Sequence, residues 1–216
     1  VYYGATIANV PLSGFRGPEW ARRATARHYE EKTARDYPVD AALARHLIGA
    51  LIDREFDVAA ADSVPAGAGE GHAVGFVHQR IMNGHIVPIV PILINTYYPP
   101  NQPTPRRCYR LGQAVRAAVA DYPGEARIGI LASGGLSPFV VDEALDRAIL
   151  DALASKDGRA LQDLPRAKLN SGNSEIRNWI CLAGAVEHLA LEWRHYEPGY
   201  RTPAGTGTGL GFAFWS

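Results

Sequence analysis

The stretch that most restricts how this chain can fold is Ile86-Val87-Pro88-Ile89-Val90-Pro91-Ile92-Leu93-Ile94-Asn95. Its branched apolar side chains suit a strand buried on both faces, which a sheet covered by helices provides. Pro88 and Pro91 cannot donate ladder hydrogen bonds, so the strand is expected to begin near Ile89 or Ile92. Ala126-Arg127-Ile128-Gly129-Ile130-Leu131-Ala132 is a second such run and ends in the glycine turn Ser133-Gly134-Gly135-Leu136-Ser137-Pro138-Phe139. Val1 to Val10 and Phe56 to Ala61 also read as strands.

Helical patterns alternate with these runs. Asp40 is placed to cap a helix whose apolar stripe is Ala41, Leu43, Leu47, Ile48, Leu51 and Ile52. Further helices are expected at 106–120, 142–153 and 159–164, and a charged, exposed one from Glu19 to about Arg35. A short helix should leave the small-residue loop at Gly71-His72. Strands alternating with helices predict an α/β fold with a mixed, largely parallel sheet flanked by helices. At 216 residues without a linker, 1–216 reads as a single domain. The chain opens on Val1 within a strand-like run, so it is expected to be incomplete at its N-terminus.

Composition excludes several functions. Lys plus Arg and Asp plus Glu both number 22, so no net field attracts nucleic acid or an anionic membrane. Two cysteines, Cys108 and Cys181, stand far apart in sequence, which argues against a disulfide framework or a structural zinc and fits a reducing cytoplasm. No apolar run reaches the roughly 18 residues of a membrane span, and no phosphate-cradling P-loop or nucleophile elbow occurs.

Ligands in open α/β sheets bind outside the carboxyl ends of strands. Three loops fit that placement: those reaching His72, the Ser133 to Phe139 turn, and Leu169 to Glu175. A helix capped by Asn173 or Ser174, running to about Trp193, puts Glu175 in its first turn, where the carboxylate either complements the helix dipole or ligates a metal. His72 either moves a proton near neutral pH or is a capping or core histidine. His78 lies on the opposite helical face from His72 and makes no metal pair with it. His85 sits in an Asn-Gly turn, and His28, His46, His188 and His195, expected on helices, lack a histidine partner one turn away.

Taken in order, the Phe56-Asp57-Val58 run, Gly71-His72-Ala73, Ile89 to Thr96, Pro105 to Gly112, Ala132 to Ser137, Asn173 to Trp179 and the Gly/Thr tail resemble the class III extradiol ring-cleavage dioxygenases, of the protocatechuate 4,5-dioxygenase β-subunit and gallate type. The resemblance covers most of the chain from about Glu55. It implies an enzyme that opens the ring of a catecholic aromatic with O2 at a non-haem Fe(II) held by two histidines and a carboxylate. By motif, Glu175 resembles the iron carboxylate and His72 the histidine that hydrogen-bonds substrate or bound oxygen. Asn173, Ser174, Thr206 and Thr208 would line the substrate pocket. A homo-oligomer or a small partner subunit is implied as well. Two departures stand out: Pro138 occupies the place of the family's base histidine, and the two iron histidines belong to segments upstream of the matching region. The alternative is therefore a degenerate, non-catalytic homologue serving as an aromatic-ligand-binding or structural subunit.

Overall fold

The computed structural model describes residues 1–9, 18–20, 23, 35–65, 69–83 and 85–216. They fall into two compact units, Val1–Leu93 and Ile94–Ser216.

In the first unit, strands β1 (Thr6–Asn9) and β2 (Arg35–Pro38) pair antiparallel, Ile7 opposite Tyr37. Tyr2, Ile7, Tyr37 and Val39 form a small core against which Val64 and Ile89 pack. Helix α1 (Ala41–Ile52) begins as its sequence directs, with the Asp40 carboxylate accepting the Leu43 N–H at 2.9 Å. Helix α2 (His72–Phe76) passes into one π-helical turn, Val77–Ile81. Of the expected charged helix, Glu19, Trp20 and Arg23 are helical, with Arg23 paired to Glu19 at 3.5 Å; Arg35 instead begins β2, and the rest, His28 included, lies outside the described residues.

Among the described residues, the second unit combines four α-helices and two short 3₁₀ segments with a three-stranded sheet. Helix α3 (Pro105–Ala120) starts at Thr104, whose hydroxyl accepts the Arg107 N–H, followed by Pro105 in the first turn. Helix α4 (Glu143–Ala154) is capped by Asp142 and α5 (Gly158–Gln162) by Asp157. Helix α6 (Ile176–Val186) follows a 3₁₀ segment, Ser171–Glu175. Strands β3 (Pro138–Val140), β4 (Leu191–Tyr200) and β5 (Thr206–Trp215) pair antiparallel in the order β3-β5-β4. The core joins Cys108, Leu136, Ile149, Leu169, Ile176, Trp179 and Ile180. Burial pushes the Cys108 and Cys181 thiols up to about 12, so neither is a reactive thiolate near neutrality.

The α/β class holds, with corrections inside it. Every described ladder is antiparallel, and parallel pairing is confined to the isolated bridges Tyr2–Ala61 and Val39–Ile89. The runs at 86–94 and 126–132 lie outside any described ladder: branched composition favours extended backbone, but a ladder also needs a neighbour in register. Phe56 to Ala61 joins a pairing only at Ala61. The last helix stops at Val186, and Trp193 and His195 lie on β4. The Gly/Thr tail is strand β5, whose alternate residues Gly207 and Gly209 are buried while Leu210, Phe212 and Phe214 are exposed.

Helices α3 and α6 meet backbone to backbone. A Cβ on Gly112 would collide with the Cys181 carbonyl and lie 2.8 Å from the Ala185 nitrogen, and one on Gly184 would strike the Tyr109 carbonyl. Either Gly112→Ala or Gly184→Ala must therefore part the helices, with an expected loss of about 1–3 kcal/mol in urea unfolding. Gly49→Ala, where a Cβ meets open space, is the control that should not destabilise.

Candidate functional site

Glu175 does not cap its own helix. It is the residue before α6, makes no side-chain cap bond, and its Oε2 accepts the Gly135 N–H at 2.9 Å. The same helix face continues the contact. Asn178 Nδ2 donates to the Ser133 carbonyl at 2.9 Å, and Trp179 Nε1 donates to the Gly134 carbonyl at 3.1 Å. Residues 175, 178 and 179 are spaced i, i+3, i+4, the spacing that aligns side chains on one helical face. They bond three consecutive residues of the turn. Gly134 has φ +149°, and a Cβ there would lie 3.0 Å from Glu175 Oε2, so the turn needs glycine to bring its backbone to the carboxylate.

The segment carrying Glu175 is fixed from behind by Arg177, which is 1% exposed. Its Nε donates to the Pro103 carbonyl at 2.8 Å, and its Nη1 to the carbonyls of Leu169 at 2.7 Å, Ser174 at 3.3 Å and Thr96 at 3.3 Å. A guanidinium spent on carbonyls is a brace rather than an anion site.

The far side of the turn is a buried polar cluster. Ser137 Oγ donates to Asp146 Oδ2 at 2.5 Å, and the Tyr196 hydroxyl donates to the same oxygen at 2.8 Å. The Asp142 N–H donates to Ser137 Oγ at 2.9 Å. Asp146 is fully buried; burial first, then the carboxylates of Asp142 and Glu143, push its carboxyl above the ordinary value of 3.8 against the two hydroxyl donors. Backbone strain sits close by: Phe139 and Ser171 are non-glycine residues with φ +77° and +53°. A Cβ on Gly172, the neighbour of Ser171, would lie 2.5 Å from the Pro138 ring and 3.0 Å from the Phe139 ring.

The expected pocket residues divide. Thr208 is the ladder partner of Pro138, and its methyl faces Gly135. Thr206 pairs its hydroxyl with that of Thr202 at 2.7 Å. Asn173 is half-buried, whereas Ser174 is completely buried with no partner for its Oγ. Pro138 lies in β3 against the Gly172 backbone. His72 is the exposed first residue of α2, in the other unit. Asn178, Trp179 and Asp146 were not anticipated from the sequence. The i, i+3, i+4 spacing from Glu175 was the available signal for the first two; nothing local marks Asp146. Sequence spacing also passed over His78, 1% exposed, whose Nδ1 lies 3.3 Å from Glu70 Oε1 and whose ring stacks on Tyr37 at 3.8 Å.

An iron site of the implied kind needs two histidines and a carboxylate. Glu175 provides one carboxylate. Among the described residues there is no group of three or more His, Cys, Asp or Glu side chains able to hold a metal, so a complete two-histidine, one-carboxylate set does not fit on them. Nor, among these residues, is any helix long and apolar enough to cross a membrane.

Residues 19–211 match the family described as the catalytic LigB subunit of aromatic ring-opening dioxygenase, and the chain belongs to that family. Among curated relatives it is similar to gallate dioxygenase of Pseudomonas putida, 30% identical over 178 residues. That alignment covers 77% of this chain and 51% of the relative, so the chain spans about half the relative's length.

The raised Asp146 carboxyl makes stability depend on pH with a definite sign. A carboxyl whose folded value exceeds its unfolded one contributes stability that is complete below the unfolded value and lost as pH rises through the folded one. Unfolding the wild type and Asp146→Asn at a series of pH values from 4 upward should show the wild type losing stability relative to the variant as pH rises. A constant difference across the series would refute this.

Proposed function

We propose that this chain is catalytic-domain sequence of an Fe(II)-dependent extradiol dioxygenase that opens a catecholic, protocatechuate- or gallate-like ring with O2. The observation that carries this reading is the Glu175 carboxylate held on the Gly134–Gly135 turn, in a chain that matches the ring-opening family over residues 19–211. Glu175 would be the metal carboxylate, with its Oε2 steadied by the Gly135 N–H. Fe(II), when bound, would supply open coordination positions for diol and O2. Asn173, Ser174, Thr206 and Thr208 belong to the substrate side. His72 is the catalytic histidine that hydrogen-bonds substrate or oxygen, its imidazole able to exchange a proton near neutrality. Residues 1–216 belong to one catalytic domain in this reading. The protein works in the cytoplasm, consistent with two free thiols, and as a homo-oligomer or with a small second subunit.

The test is anaerobic Fe(II) loading of the full-length polypeptide, followed by O2 uptake and the yellow ring-fission product with gallate, protocatechuate and catechol. Glu175→Gln should abolish both iron retention and product. His72→Phe should keep iron and lose turnover. A Glu175→Gln protein that retains iron and activity would refute the assignment.

Pro138 favours a second reading. Proline carries no proton, and here it stands where the resemblance places a base histidine. A non-catalytic subunit that binds an aromatic ligand would bind catechols without consuming O2, and Pro138→His would leave it inactive. Ring-fission product from the wild-type protein eliminates this reading.

A further inference from the structure

Asp146 is a fully buried carboxyl, and the proposed chemistry has no use for it. Its Oδ2 takes two hydroxyl donors, while Oδ1 is buried with no hydrogen-bond partner. Leaving a buried carboxylate oxygen unmet is costly, so the group is kept for what its other oxygen holds. That oxygen holds Ser137. The backbone of Ser137 is tied on the same side: the Gly209 N–H donates to the Ser137 carbonyl at 3.1 Å, and the Leu136 N–H donates to the Gly209 carbonyl at 3.2 Å. Gly209 has no side chain because a Cβ there would collide with Asp146 Oδ2 and come within 2.8 Å of Ser137 Oγ. The residue before Leu136 is Gly135, whose N–H reaches Glu175.

We propose that Asp146 is a positioning residue for Glu175: through Ser137 its carboxyl fixes the Gly134–Pro138 turn, and thereby the amide that orients the Glu175 carboxylate. The proposal rests on the reading of Glu175 as a site residue, but the positioning itself is measurable without metal or substrate. Tyr196 gives an internal control. Its hydroxyl shares Asp146 Oδ2 with Ser137, yet it lies on β4 and makes no recorded bond to the turn.

The experiment is ¹H–¹⁵N NMR of the metal-free full-length polypeptide, following the Gly135 amide and the Trp179 indole N–H. Glu175→Gln defines how far the Gly135 resonance moves when its acceptor loses charge. Ser137→Ala and Asp146→Leu should move Gly135 toward that position and displace the Trp179 indole. Tyr196→Phe should move both much less, and Asp146→Asn, which keeps an acceptor for Ser137, should stay near wild type. Should Asp146→Leu fail to fold, the contrast between Ser137→Ala and Tyr196→Phe decides. The proposal is overturned when Ser137→Ala leaves both resonances in place, or when Tyr196→Phe shifts them equally, which would mean generic repacking. Ring cleavage retained by Glu175→Gln would remove the metal reading alone, since the resonance pattern would still uphold the positioning.

Discussion

The second unit depends on one contact: the helix face of Glu175, Asn178 and Trp179 laid on the carbonyls and amide of residues 133–135. Each bond is ordinary in length. Their force lies in alternation, because the turn offers acceptor, acceptor, donor in sequence and the helix answers donor, donor, acceptor. A shift of one residue in either element would set acceptor against acceptor and leave partly buried polar groups unmet, which costs stability. The register is therefore set by polarity, while apolar burial of Leu136, Ile176 and Ile180 supplies the attraction.

Two other devices serve the same contact without touching it. Arg177 collects carbonyls from Thr96 and Pro103 in the chain before α3, from Leu169, and from Ser174 in the 3₁₀ segment, so that separate parts of the chain converge behind Glu175. Asp146 works from the opposite side through hydroxyls. Arg177 is spent on carbonyls and Asp146 on hydroxyls, so each buried group is held by hydrogen bonds from its own surroundings.

Legibility in the sequence followed the range of the interaction. Asp40 was readable as a cap because capping acts over three residues, and the starts expected at Arg106 and Asp142 lie one residue from the observed Pro105 and Glu143. The motif around Glu175 was legible through family resemblance and through its place at a helix start. What could not be read was pairing across distance. The runs at 86–94 and 126–132 have strand composition without a described ladder. The Gly/Thr tail was assigned no element, although its glycines recur at every second position. Their alternation with Thr208, Leu210 and Phe212 is the period-two pattern of a strand whose inner face must stay thin. Gly209 shows the reason for that thinness, and the reason is Asp146, sixty-odd residues upstream.

The crossing of α3 and α6 at Gly112 and Gly184 bears on how the site would respond to heat. Most helix pairs are held apart by side chains that hop between rotamers, and their spacing breathes as those hops become frequent. Main chain against main chain has no rotamers to populate. The helix that begins beside Glu175 is thus seated on a stop rather than a cushion. Its carboxylate should keep its place until the unit melts as a whole, so that loss of geometry and loss of fold arrive together.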